Sequence, residues 1–100
     1  METVMNQLPV NAEGYLLDYQ IWTPEWAHET AQSLGIVLTD KHFDVLNWLR
    51  KKQAEGVPLT IRKVGASGIV DIKGFYELFP GGPLKVSSRI AGIPKPVSCI

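Results

Sequence analysis

Hydrophobic positions along the chain fall into two kinds of stretch. The first, "TVMNQLPVNAEGYLLDYQIW" (residues 3–22), sets Val, Leu, Tyr and Ile around a polar turn at Asn11 to Gly14. Such residues suit a pleated, half-buried surface and Glu13-Gly14 is turn chemistry, which predicts an N-terminal β-hairpin. A lone hairpin is marginal in water, so it must pack on another element. The remaining stretches are helical. In "TPEWAHETAQSLG", Thr23 is placed to cap, Pro24 to open and Gly35 to end a helix, with Ala27, Ala31 and Leu34 on one face. "TDKHFDVLNWLRKKQAEG" repeats this grammar from Thr39 to Gly56. Phe43, Leu46 and Leu49 form its apolar stripe, and Arg50, Lys51 and Lys52 fall in the half where the helix dipole favours cations. Three shorter helices follow. They are "TIRKV", then "IKGFYELF" capped by Asp71, then "PLKVSSRIAG" opened by Pro83 and closed by Gly92. The expectation is a mainly α fold, a small bundle of about five short helices with an N-terminal β-hairpin and an extended C-terminal arm. Residues 1–91 form a single helical domain and 92–100 a flexible arm.

Composition narrows the function without choosing it. One hundred residues make one small domain, and 45% hydrophobic content is enough for a core. Ten basic residues balance ten acidic ones, so no overall charge draws the chain to nucleic acid or to an anionic membrane. No apolar run approaches the ~20 residues of a membrane span. The first residues lack the basic and apolar regions of a signal peptide. A single cysteine, Cys99, excludes an internal disulfide. Together these features point to a reducing cytoplasm.

That cysteine lies next to last, in "IAGIPKPVSCI". Pro94 and Pro96 fix their own φ angles and bias the residues before them toward extended backbone, so the tail reads as a semi-rigid strut. Gly92 to Ile100 reaches at most roughly 30 Å, at ~3.3 Å per residue. The strut can carry Cys99 outward into a partner's cleft or fold back over its own domain. A thiolate attacks a persulfide or disulfide sulfur, holds it and yields it to the next nucleophile. Positive charge favours the thiolate. Lys95 is near in sequence, and Arg62, Lys63, Lys85 and Arg89 become available if the arm folds back.

The segment "YELFPGGPLKVSSRIAGIPKPVSCI" resembles the C-terminal signature of the DsrC/TusE family of small sulfur-carrier proteins. The matching positions are Tyr76, Leu78, Phe79, Pro80, Gly82, Pro83, Lys85, Ala91, Gly92, Pro94, Lys95, Pro96 and Cys99. "EGYLLDYQIWTPEWA" is similar to the family's N-terminal hairpin and first helix, and "GVPLTIRKV" to the stretch bearing its arginine, here Arg62. The resemblance implies a mostly helical fold with a helix-turn-helix-like pair and a flexible arm whose penultimate cysteine carries sulfur. It makes Cys99 the sulfur-bearing residue, with Arg62, Lys85, Pro94, Lys95 and Pro96 as arm and supporting positions. Relatives serving dissimilatory sulfite reductase carry a second arm cysteine eleven residues earlier, where this chain has Ser88. The one-thiol pattern resembles the TusE form. That form takes persulfide sulfur from a TusBCD- or DsrEFH-like donor complex and passes it toward an MnmA-like tRNA thiouridylase that makes 2-thiouridine. The resemblance implies no cofactor, no membrane contact, and a sulfurtransferase in the sense of a carrier, with turnover belonging mainly to its partners. The alternatives are a single-cysteine paralogue in dissimilatory sulfur metabolism, with sulfite reductase as partner, and a helix-turn-helix regulator or partner-binding protein.

Other features read more plainly. "TIRKV" and "IKGFYELF" form a possible DNA-reading pair, but the second helix sets Lys73 against Asp71 and Glu77, which argues for core packing and against direct nucleic-acid contact. His28 and His42 lack any metal-site spacing and read as surface histidines. Trp22, Trp26 and Trp48 read as core or hairpin-packing residues.

Overall fold

The computed structural model describes residues 8–96, so Cys99 and the start of the expected first strand lie outside the described residues. Five helices follow one another: α1 (Pro24–Ser33), α2 (Asp40–Ala54), α3 (Ile61–Gly65), α4 (Ile72–Leu78) and α5 (Pro83–Ala91). Their starts follow local chemistry. Thr23 Oγ1 accepts from the Trp26 amide at 3.1 Å, Thr60 Oγ1 from Lys63 at 3.0 Å, and Asp71 Oδ1 from Gly74 at 2.7 Å. Each satisfies an amide that the first helical turn leaves open.

α5 is the hub. It packs against α1, α2 and α4, while α3 rests on α4. Ala27 and Ala31 of α1 are fully buried, and their small side chains allow α5 to approach closely. Val45, Leu46 and Leu49 of α2, Phe75 of α4, Phe79, and Leu84 and Ile90 of α5 complete the core. Burying each of the larger side chains contributes about 1.5–3 kcal/mol. Phe43 is half-buried at the edge of the α2 stripe.

Two expectations are corrected. Among the described residues the N-terminal hairpin is absent, reduced to one antiparallel bridge between Val10 and Leu16. Local hydrogen bonding competes with the ladder. Asn11 Oδ1 accepts from the Glu13 and Tyr15 amides at 2.9 and 3.0 Å, tightening the turn. Asp18 then caps a single 3-10 turn, Tyr19–Ile21, where the second strand would have run.

His42 is not at the surface either. It is buried at the start of α2, where Nδ1 accepts from the Thr39 amide at 3.1 Å. The other nitrogen, Nε2, lies 2.9 Å from the Leu78 carbonyl. A carbonyl can only accept, so these partners select the tautomer protonated at Nε2. The ring also stands edge-on to Phe79, 5.1 Å between centroids. His42 therefore does for α2 what Glu or Gln does in a capping box, and ties α2 to the end of α4 as well. His28 is exposed, with its ring edge-on to Phe43.

Candidate functional site

The last helix opens directly into the C-terminal segment, so the site begins where α5 stops. Gly92 has φ +72°, a left-handed conformation that glycine adopts without steric cost. The Ile93 amide then closes onto the Ser88 carbonyl at 3.2 Å, the six-to-one bond that follows a glycine terminator.

The carbonyls of Ile90 and Ala91 have no intrahelical partner and meet two side chains from elsewhere in the chain. Trp22 Nε1 donates to the Ile90 carbonyl at 2.8 Å, and Arg50 Nη1 donates to the Ala91 carbonyl at 2.8 Å. The other arm of the Arg50 fork, Nη2, donates to the Tyr19 carbonyl at 2.7 Å. The guanidinium stacks over Trp22, 4.4 Å from the ring centroid, and lies 5.6 Å from that of Tyr19. Burial pushes the Arg50 guanidinium below its usual range, with Tyr19 partly opposing the shift. A cation here also complements the negative end of the α5 dipole.

Past this clamp the segment stays on the body. Gly92 seats against Trp22 and Leu16, Ile93 is 0% exposed, Pro94 is exposed and Pro96 is buried. Lys95 Nζ pairs with Glu13 Oε2 at 3.0 Å, bringing the segment against the N-terminal turn. Gly14 of that turn lies directly on the Arg89 guanidinium, where a β-carbon would stand 2.5 Å from Nη2. Ser88 is 0% exposed and, among the described residues, its hydroxyl has no hydrogen-bond partner, nor has Arg89 Nε.

Of Pro94, Lys95 and Pro96, the structure ties Lys95 to the N-terminal turn. Arg62 and Lys85 are exposed on α3 and α5, and neither makes a hydrogen bond or ion pair with residues 92–96 among the described residues. Lys63 Nζ instead donates to the Pro58 carbonyl of its own loop at 3.0 Å. Three residues of the site were not singled out from sequence as supporting positions: Arg50, Trp22 and Glu13. For Arg50 a signal was present, because it follows Leu46 by four positions and so falls on the buried stripe of α2. The positions of Trp22 and Glu13 depend on long-range contacts and carry no such local sign. Among the described residues no cluster of His, Cys, Asp or Glu could hold a metal ion, and no helix is long and apolar enough to cross a membrane.

The five-helix domain thus ends in a hub helix whose last carbonyls are clamped by Trp22 and Arg50. Comparison with known proteins gives the same architecture a lineage. Residues 2–100 match the family described as DsrC like protein, and the chain belongs to that family. It is 38% identical to the sulfurtransferase TusE of Pectobacterium atrosepticum, covering 93% of each chain. It is 32% identical to the gamma subunit of the dissimilatory-type sulfite reductase of Nitratidesulfovibrio vulgaris, covering 91% of this chain and 89% of that one. The solution structure of DsrC from Allochromatium vinosum superposes with a TM-score of 0.80 at 33% identity, covering 100% of this chain and 96% of that one.

Proposed function

We propose that the chain is a sulfur-relay carrier of the TusE kind, with Cys99 as the residue that holds the sulfur. The observation that carries this reading is similarity over nearly the whole chain to proteins named sulfurtransferase TusE, at 38% and 35% identity for two of them, in a sequence with one thiol. The Cys99 thiolate attacks the outer, sulfane sulfur of a donor persulfide. The donor's S–S bond breaks, its thiolate leaves with the electron pair, and Cys99 becomes a persulfide. The acceptor repeats the exchange and returns Cys99 to the thiolate. No external oxidant or reductant enters the transfer.

The donor we propose is a TusBCD- or DsrEFH-like complex, and the acceptor an MnmA-like tRNA thiouridylase, so that the sulfur ends in 2-thiouridine. Ser88 supports this destination over the sulfite reductase cycle, because a hydroxyl cannot form a disulfide or share a sulfur with Cys99. Residues 92–100 are the carrying arm in this reading, with Pro94 and Pro96 stiffening it. Arg62, Lys85 and Lys95 are candidate supports for the thiolate.

Intact-mass spectrometry after incubation with a cysteine desulfurase, cysteine and relay proteins tests the assignment. The parent protein should gain one sulfur atom and Cys99→Ser none. Failure to load from any competent donor, with the protein folded, would sink the carrier reading and leave the arm as a docking peptide.

A further inference from the structure

We infer that Arg50, together with Trp22, is the positioning residue of the C-terminal arm: it anchors the arm's root to the body, so that the thiol's travel starts beyond Ile93 and not at the glycine that ends α5. The functional half of this inference rests on the carrier reading above, but the anchoring itself does not.

Gly92 has the backbone freedom of a hinge, and sequence alone would place the pivot there. The surrounding contacts prevent it from acting as one. Both carbonyls before Gly92 are held from outside the helix, by Trp22 Nε1 and Arg50 Nη1, each at 2.8 Å. The residue after it is held at both ends, its amide on the Ser88 carbonyl at 3.2 Å and its side chain 0% exposed. Gly92 is packed close against the indole, since a β-carbon there would stand 2.5 Å from Trp22 Cδ1.

Arg50 is the centre of this arrangement. One guanidinium fork spans the Ala91 and Tyr19 carbonyls, joining the end of α5 to the turn before α1, while its face lies on Trp22. Lysine cannot reproduce this. A single ammonium lacks the planar fork that reaches two diverging acceptors, and it does not stack in the same way. Cys99 is the sixth residue counted from Pro94, so its span from the anchor is at most about 20 Å. A fixed root confines the thiol to a smaller volume, which raises its effective concentration in a partner's cleft.

The native cysteine makes the test direct, because one spin label can be placed on Cys99 without removing any other thiol. A second label goes on Gln32→Cys, at an exposed position of α1. The distance distribution between the two is then measured by electron-electron resonance in Arg50 as found, Arg50→Gln and Arg50→Lys, with circular dichroism confirming each fold. Both substitutions should widen the distribution about twofold or more, with lysine giving no rescue. Trp22→Phe, which keeps a stacking face but loses the donor to Ile90, should widen it less and serves as the second reading if Arg50→Gln does not fold. An unchanged distribution in the folded variants, or full rescue by lysine, overturns the inference.

In unlabelled protein, Arg50→Gln should raise the KM for a persulfide donor protein about tenfold, the equivalent of one charge-assisted hydrogen bond, with kcat unchanged. Its alkylation rate by iodoacetamide should match the parent's. An unchanged KM in folded Arg50→Gln overturns the functional half of the inference. If the parent itself takes up no sulfur, the carrier reading fails, and the distance measurement still decides the anchor.

Discussion

Ser88 is buried within the hub helix, and among the described residues its hydroxyl has no hydrogen-bond partner to replace the bonds it makes when unfolded. Leaving a buried hydroxyl unsatisfied costs about 1–3 kcal/mol. Ser88→Ala removes that group at the expense of one small void, so the variant should be more stable by about 1 kcal/mol, roughly 4–8 °C in melting temperature for a domain of this size. A calorimetric scan checks it, and a lower melting temperature would mean that the hydroxyl is satisfied after all. The sequence showed which thiol was missing at this position but not that the substitute would be sealed in the core. Arg50 shows the same limit from the other side. It reads as a dipole cation like Lys51 and Lys52, yet one step along a helix turns a side chain by about 100°. That step places Arg50 over Trp22, while Lys51 is exposed.

Helix starts were largely legible, because a cap is a contract between residues three apart. Thr23, Thr39, Asp71 and Pro83 all open helices where their chemistry placed them. The N-terminal hairpin was not legible, since Asn11 and Asp18 spend their side chains on local turns and leave one bridge in place of a ladder. His42 lies between these cases. It reads as a surface histidine, but it caps α2 at Thr39 and its second bond, to the Leu78 carbonyl, crosses 36 positions. His42→Ala strips partners from that carbonyl and from the Thr39 amide, and removes the edge contact with Phe79. We expect a loss of about 2–3 kcal/mol in urea unfolding, within the range for two buried polar groups left open. The m-value should stay the same, because the surface exposed on unfolding is little altered. A loss below half a kcal/mol would show that water replaces the imidazole and that α2 and α4 are joined by apolar packing alone.

Across the whole molecule, the decisive contacts are those the sequence separates most. Trp22 and Ile90 are 68 positions apart, Glu13 and Lys95 are 82. The Glu13–Lys95 pair is largely exposed, with side chains 57% and 40% accessible, so it contributes at most about 1 kcal/mol and less in salt. The root of the arm is held by stronger means, and two glycines separate the contributions. Gly35 and Gly92 both end helices in the left-handed region, at φ +78° and +72°. A β-carbon at Gly35 meets nothing within 4 Å, whereas at Gly92 it meets Trp22 Cδ1 at 2.5 Å and Leu16 Cδ2 at 3.0 Å. Gly35→Ala should therefore cost only the backbone penalty, about 1–2 kcal/mol. Gly92→Ala carries that penalty and must also push the indole away, breaking the Ile90 hydrogen bond and unseating Arg50. It should cost at least about 2 kcal/mol more, a magnitude typical of overpacking a tight contact. The difference between the two melts isolates the clamp from the backbone. Equal costs would mean that Trp22 moves aside freely, and then the root of the arm is held by the helix terminator alone.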